Sequence, residues 1–341
     1  MNTTVTKPRI DYIDSARGLA ILFVLIGHLC SLKYGLGQYF YSFHMPMFFI
    51  ISGMLLSYNN SWKDMAFYDI FIKKLKSFMY PYIIFSILSI LYIWFSKDLN
   101  SAINSIFIFI SLEGISSLWF LPALLIGELV FILIMKYCSK IQSIITFIFI
   151  LIITTLFCCL GAKLGFILVT GIKTYTMQGL GIIIRSLIAA IFIVIGYYLV
   201  NINLNKKTLF ITTIISLIIN LCLFRYNIVN LHYCAIGNPI LYYVNSITGS
   251  IGFIGLSKLF LGKIKLLIFY GKNSLILFMT HGNLGIIHLV EKIAIYLPES
   301  IRWISMVILL IIFETIIVLI INKYLRILIS YKEFETKILK H

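Results

Sequence analysis

The chain has 341 residues, 61% of them hydrophobic and 12% charged, with a mean hydropathy of +1.02. A soluble domain is about one quarter charged, so the composition excludes a soluble globular protein and describes an integral membrane one. The formal net charge is +16, but the Lys and Arg fall in short clusters between apolar runs. That is the pattern of membrane topology and not of nucleic-acid binding.

Ten runs of 17 or more mostly apolar residues predict membrane spans, at about 12–32, 40–58, 78–96, 117–136, 141–160, 180–200, 207–224, 239–261, 267–289 and 302–322. The expected fold is therefore an all-α polytopic bundle of about ten transmembrane helices, with residues 1–341 forming a single membrane domain. The first run shows no small-residue cleavage site after it and reads as a retained span. The stretch from Ile103 to Leu112 is too short to cross and reads as interfacial or re-entrant.

Basic residues alternate between the two sides. Lys7 and Arg9, then Lys63, Lys73, Lys74 and Lys76 in the loop after the second run, share one side with Lys136, Lys140, Lys206, Lys207, Lys258, Lys263 and Lys265. Lys323, Arg326, Lys332, Lys337 and Lys340 at the C-terminus fall there too. The opposite side holds Lys33, Lys97, Lys163, Lys173, Arg225, Lys292 and Arg302, with Arg185 close by. This bias predicts that both termini are cytoplasmic, in keeping with an even number of spans.

Arg17 and His28 are eleven residues apart within the first run. At 100° per residue they fall about 20° past three full turns, so both lie on one helix face, roughly 16 Å apart along the axis. Such groups are costly in a bilayer unless they face a polar interior. His44 opens the second run from the side where His28 ends the first, and His281 stands in the outer half of the ninth. Three histidines at similar depth predict one polar site. No carboxylate stands at ligand spacing on these helices, and the six cysteines form no metal-binding pattern, so no metal is expected. Asp14 shares a face with Arg17 and is expected to pair with it, either as a structural ion pair at the cytoplasmic rim or as part of the functional site. Glu128 and Glu314 are expected to neutralise Lys272, Arg17 or Arg185 inside the bundle. Lys73, Lys74 and Lys76 serve either topology and lipid headgroups or the phosphates of a cytoplasmic nucleotide cofactor.

Four segments in order resemble the acyltransferase 3 family of membrane acyltransferases, in the branch that O-acetylates cell-surface sugars. They are Asp11 to His28, with its Arg and His; Phe43-His44-Met45-Pro46 through Gly53; Ser117-Leu118-Trp119-Phe120-Leu121; and Gly271-Lys272-Asn273-Ser274-Leu275 followed by Thr280-His281. The resemblance implies a bundle of about ten spans in a bacterial cytoplasmic membrane. It implies acetyl-CoA as acyl donor and a polysaccharide or lipid-linked saccharide as acceptor. His28, Arg17, His44 and His281 would be catalytic, and Arg17, Lys73, Lys74, Lys76 and Lys272 would meet the donor. Where the family often has an Arg-x-x-Arg pair, this chain has Lys73 and Lys76, which keep the charge but lose the bidentate fork. Two other classes fit the composition, a transporter or flippase and a polymerase for a polysaccharide intermediate. No internal repeat favours the first, and the outer loops are short for the second.

Overall fold

A computed structural model describes residues 9–30, 35–165, 167–168, 171–172 and 175–338. Lys7, Lys33, Lys173, Lys340 and the side chain of Lys337 lie outside the described residues. The helices are α1 (Asp11–His28), α2 (Gly35–Tyr41), α3 (His44–Tyr58), α4 (Phe67–Ser96), α5 (Leu99–Ile110), α6 (Phe120–Tyr137), α7 (Lys140–Lys163) and α8 (Tyr175–Leu199). They continue as α9 (Lys206–Leu223), α10 (Pro239–Leu256), α11 (Lys265–Lys272), α12 (Ser274–Thr280), α13 (Ile286–Ala294), α14 (Glu299–Tyr324) and α15 (Tyr331–Ile338). A two-residue antiparallel pair, Ile167–Leu168 with Gly171–Ile172, is the only sheet among the described residues.

Eight of these segments are long and apolar enough to span a membrane, and each coincides with one of the predicted runs. The first run is α1, which at 18 residues carries Asp11, Asp14 and Arg17. The ninth run departs from expectation. It is not one helix but α11, α12 and the start of α13, broken at Asn273 and again after Thr280. At the first break Asn273 turns its amide onto the Phe269 carbonyl (2.8 Å) and accepts from Asn322 (2.6 Å). Side chains thus satisfy backbone and polar groups that a bilayer would leave unpaired. The third run also differs, because α4 begins at Phe67 and places Lys73, Lys74 and Lys76 on its first turns, not in a loop. The stretch expected to be interfacial or re-entrant forms α5, 12 residues long.

The bundle has a buried centre and a peripheral ring. The span containing α3 is 83% buried and that containing α6 is 72%, whereas α7 and α14 are each 22% buried and α9 only 17%. The ring helices are inverted relative to a soluble protein. On α9, Thr213, Ser216 and Asn220 face inward while Phe210, Ile211, Ile215 and Ile218 face outward. An outward apolar surface is what lipid demands.

Two close approaches set the centre. Gly18 of α1 lies against the Leu267 carbonyl of α11, and Gly271 of α11 lies against the Asp14 carbonyl of α1, so a Cβ at either position would collide with backbone. Gly53 of α3 and Gly196 of α8 make the same reciprocal contact with the carbonyls of Ile193 and Ile50. Small residues let helix backbones meet in a medium where apolar burial alone does not drive association. The α1–α11 contact is what brings α12 beside Arg17.

The basic connections converge at one end of the bundle. Lys136 donates to the carbonyls of Lys63 (2.7 Å) and Met65 (2.6 Å), Lys258 lies 5.8 Å from the Tyr12 ring, and Tyr80 donates to the Ile327 carbonyl (2.7 Å). The histidines lie toward the other end.

Candidate active site

Three cavities lie in a row from the basic end to the histidine end. The first, about 280 Å³, is lined by Lys73, Lys74, Asn59, Ser77, Phe78 and Glu128 among others. Ser77, Phe78 and Glu128 also line the second, of about 250 Å³, together with Arg17, Ser52 and Ser274. Phe278 lines both the second cavity and the third, of about 390 Å³, which holds His28, His44, Tyr41, Trp119 and His232. One helix face therefore serves two chambers, with Arg17 in the middle one and His28 in the last.

Four elements bring three imidazoles and a tyrosine together at the histidine chamber. His28 ends α1 and exposes its ring to the cavity. The His281 ring centroid is 4.9 Å from that of His28. His44 begins α3, and Tyr41 lies between it and His28, with ring centroids 4.8 Å and 5.9 Å away respectively. His44 Nδ1 lies 2.6 Å from the Phe40 carbonyl and His281 Nδ1 lies 2.8 Å from the Leu277 carbonyl. A carbonyl only accepts, so each Nδ1 carries a hydrogen and each Nε2 presents a lone pair. Nε2 of His281 is buried with no hydrogen-bond partner.

The roof of this chamber comes from the segment between α9 and α10. Asn227 pins it, donating to the Ile236 carbonyl (3.0 Å) and accepting from the backbone of Asn238 (2.8 Å). Fully buried Arg185 of α8 donates to the His232 carbonyl (2.5 Å) and to the Glu113 carboxylate (2.5 Å). Its guanidinium also lies 5.3 Å from the Trp119 ring, which in turn stacks on His232 at 5.7 Å. The floor is tied as firmly. Ser117 donates to the Phe278 carbonyl (2.8 Å) and accepts from Asn283 (2.6 Å), joining the turn before α6 to α12 and to the turn between α12 and α13.

In the middle chamber Arg17 donates to Ser274 Oγ (3.0 Å) at the start of α12. The expected Asp14–Arg17 ion pair does not form. Asp14 instead approaches Arg9 (4.0 Å), because the α1–α11 contact turns Arg17 toward α12. Glu128 accepts from Lys74 and Ser52, so it neutralises a lysine of α4 and none of the three cations expected for it. Glu314 has no ion pair among the described residues; it is fully buried and bonds Thr280 (2.5 Å).

The model of the acyltransferase 3 family, described as an acyltransferase domain, matches residues 10–323. The chain belongs to this family. No curated protein and no solved structure matches it. It is thus a multi-pass membrane acyltransferase, and each of its four motif segments contributes to the wall of the middle chamber. Of the site residues expected in this acyltransferase, Arg17 lines the middle chamber and His28 and His44 line the last, while His281 is buried behind them with its ring against that of His28. Lys73 and Lys74 line the basic mouth. Lys76 instead sits 4.5 Å from the Tyr331 ring, and Lys272 is exposed and lines none of the three cavities. Among the described residues, no cluster of His, Cys, Asp or Glu is arranged to hold a metal ion. Sequence reasoning passed over Tyr41, His232, Ser274, Phe278 and the Glu113–Arg185 pair. Only Ser274 carried a signal, since it lies within a motif beside Asn273.

Proposed function

We propose that this protein is an O-acetyltransferase that moves an acetyl group from acetyl-CoA to a hydroxyl of a cell-surface polysaccharide or its lipid-linked precursor, in a bacterial cytoplasmic membrane. The observation that carries this reading is the row of chambers, with lysines at one mouth, a guanidinium midway and imidazoles at the far end. The phosphates of the donor meet Lys73 and Lys74, and Arg17 holds the next anionic or carbonyl oxygen along the arm. The thioester then reaches the imidazoles, roughly 16 Å along α1 from Arg17.

His28 acts as general base, a task suited to an imidazole, whose ring nitrogen can accept a proton and give it back. It takes the proton of the acceptor hydroxyl as the oxygen attacks the thioester carbonyl. The C–S bond breaks, the acetyl group becomes an oxygen ester, and the proton passes from His28 to the departing thiolate. In a variant of this route His28 is itself acetylated and passes the group on. His44 and His281, each an acceptor through Nε2, orient the acceptor by taking hydrogen bonds from its neighbouring hydroxyls, since the one proton of the reacting hydroxyl goes to His28. The exchange of a thioester for an ester balances without a redox partner.

The test is the mass of the envelope glycan from cells carrying the wild-type protein or His28→Ala, with membrane insertion checked in both. Loss of one acetyl unit per repeat at unchanged chain length supports the reading. An unchanged acetyl content with inserted His28→Ala rejects His28 as the base, and a change in chain length instead points to export or polymerisation.

A further inference from the structure

Phe278 is the one described residue that lines both the Arg17 chamber and the His28 chamber. It stands on α12 one turn after Ser274, the partner of Arg17, and three residues before His281, the neighbour of His28. Its ring is 3% exposed, with its centroid 4.7 Å from that of Phe120, 6.2 Å from Phe48 and 5.9 Å from His281. Its backbone cannot yield easily, because its carbonyl is held by Ser117 at 2.8 Å. Only rotation of the side chain opens a way through.

From this geometry we infer that Phe278 is the acyl-size filter of the enzyme: its ring, backed by Phe120 and Phe48, closes the passage between the two chambers and admits only a small, uncharged acyl group. The inference rests on the acyltransferase reading above and deepens it. An arm that enters past Arg17 must carry its thioester across this wall to reach His28. The wall offers three aromatic rings and no charge or hydrogen-bond donor, so an acyl group ending in a carboxylate would cross it stripped of water and unpaired, at high cost. A longer neutral acyl group is refused where it comes to rest, since with the thioester at His28 its extra methylenes meet the packed rings around Phe278. Acetyl passes with the smallest displacement of the ring.

The experiment uses membranes from cells that carry the full protein together with their own envelope glycan. They are given acetyl-CoA or butyryl-CoA labelled in the acyl group, and label is counted in the glycan fraction. Two methylenes in an apolar site change discrimination by roughly 10- to 200-fold or more. Wild-type membranes are expected to use acetyl-CoA strongly over butyryl-CoA, and Phe278→Ala is expected to raise the butyryl-to-acetyl ratio by about tenfold or more on that scale. Phe278→Leu keeps an apolar wall of reduced width, so it is expected to fold and to give an intermediate ratio. A ratio unchanged from wild type in either variant that still transfers acetyl overturns the filter. Acetyl transfer by wild type is read in the same assay, so a failure of the acyltransferase reading shows as no label from either donor and is distinct from a failure of the filter.

Discussion

The ring of His28, the last residue of α1, lies 4.9 Å from that of His281, just past the end of α12, although 253 positions separate them in the chain. Neither imidazole has a carboxylate beside it among the described residues; His281 and His44 are instead each fixed by a backbone carbonyl one turn back. The cluster is therefore built from rings whose tautomers are set by helix backbone.

In the proposed mechanism His28 is a base acting with two orienting groups, and such a set behaves as a unit. His28→Ala is expected to lower acetyl transfer by about 10²- to 10⁴-fold, the usual contribution of a general base. His28→Ala/His281→Ala is expected to be little worse than His28→Ala alone, because the orientation His281 gives the acceptor serves only the proton transfer that His28 carries out. Initial rates of label transfer from acetyl-CoA in isolated membranes check both; multiplicative losses would separate the two histidines.

Arg17 lines the middle chamber, where the proposed mechanism places the donor, so its loss should show in donor use and not in acceptor use. Arg17→Ala is expected to raise the KM for acetyl-CoA by roughly 10- to 150-fold, in line with one charge-assisted contact of about 1.5–3 kcal/mol. Ser274→Ala, which removes only the neutral partner at 3.0 Å, is expected to have a smaller effect in the same direction. Saturation curves in acetyl-CoA decide this.

The buried Arg185–Glu113 pair holds the roof over the histidines. Arg185→Met leaves Glu113 buried without its cation and is expected to destabilise the protein by about 3–5 kcal/mol, whereas adding Glu113→Gln should recover much of the loss. Thermal unfolding in detergent measures it, and equal stability of the single and double variants would mean that the pair does not act as a unit.

The reciprocal contact of Gly18 and Gly271 admits no side chain, since backbone carbonyls stand where each Cβ would go. Gly271→Ala is expected to cost about 1–3 kcal/mol through forced separation of the helices. Because α12 comes directly after α11, the change should also weaken the hold of Ser274 on Arg17 and raise the KM for acetyl-CoA. A variant as stable and as active as wild type would show that α1 and α11 do not need this contact.

The hydropathy of the chain by itself determined a membrane bundle with helices in the predicted places, since apolar length is a local property that lipid reads directly. The 3.6-residue period likewise placed Arg17 and His28 on one face, and the positions of His44 and His281 within their apolar runs placed them at a matching depth. What tertiary structure alone decided was pairing and partition. Glu128 met Lys74 and not the expected cations, Arg185 met Glu113, and Arg17 met Ser274 and not Asp14. The ninth run broke at Asn273, although its apolar content alone describes an unbroken span. These outcomes depend on which helices approach closely, and that was set by glycines whose partners are backbone carbonyls far along the chain. The wall at Phe278 was invisible for the same reason: one more phenylalanine in an apolar run has no local signature, and it becomes a partition only when α12 is laid between the two chambers.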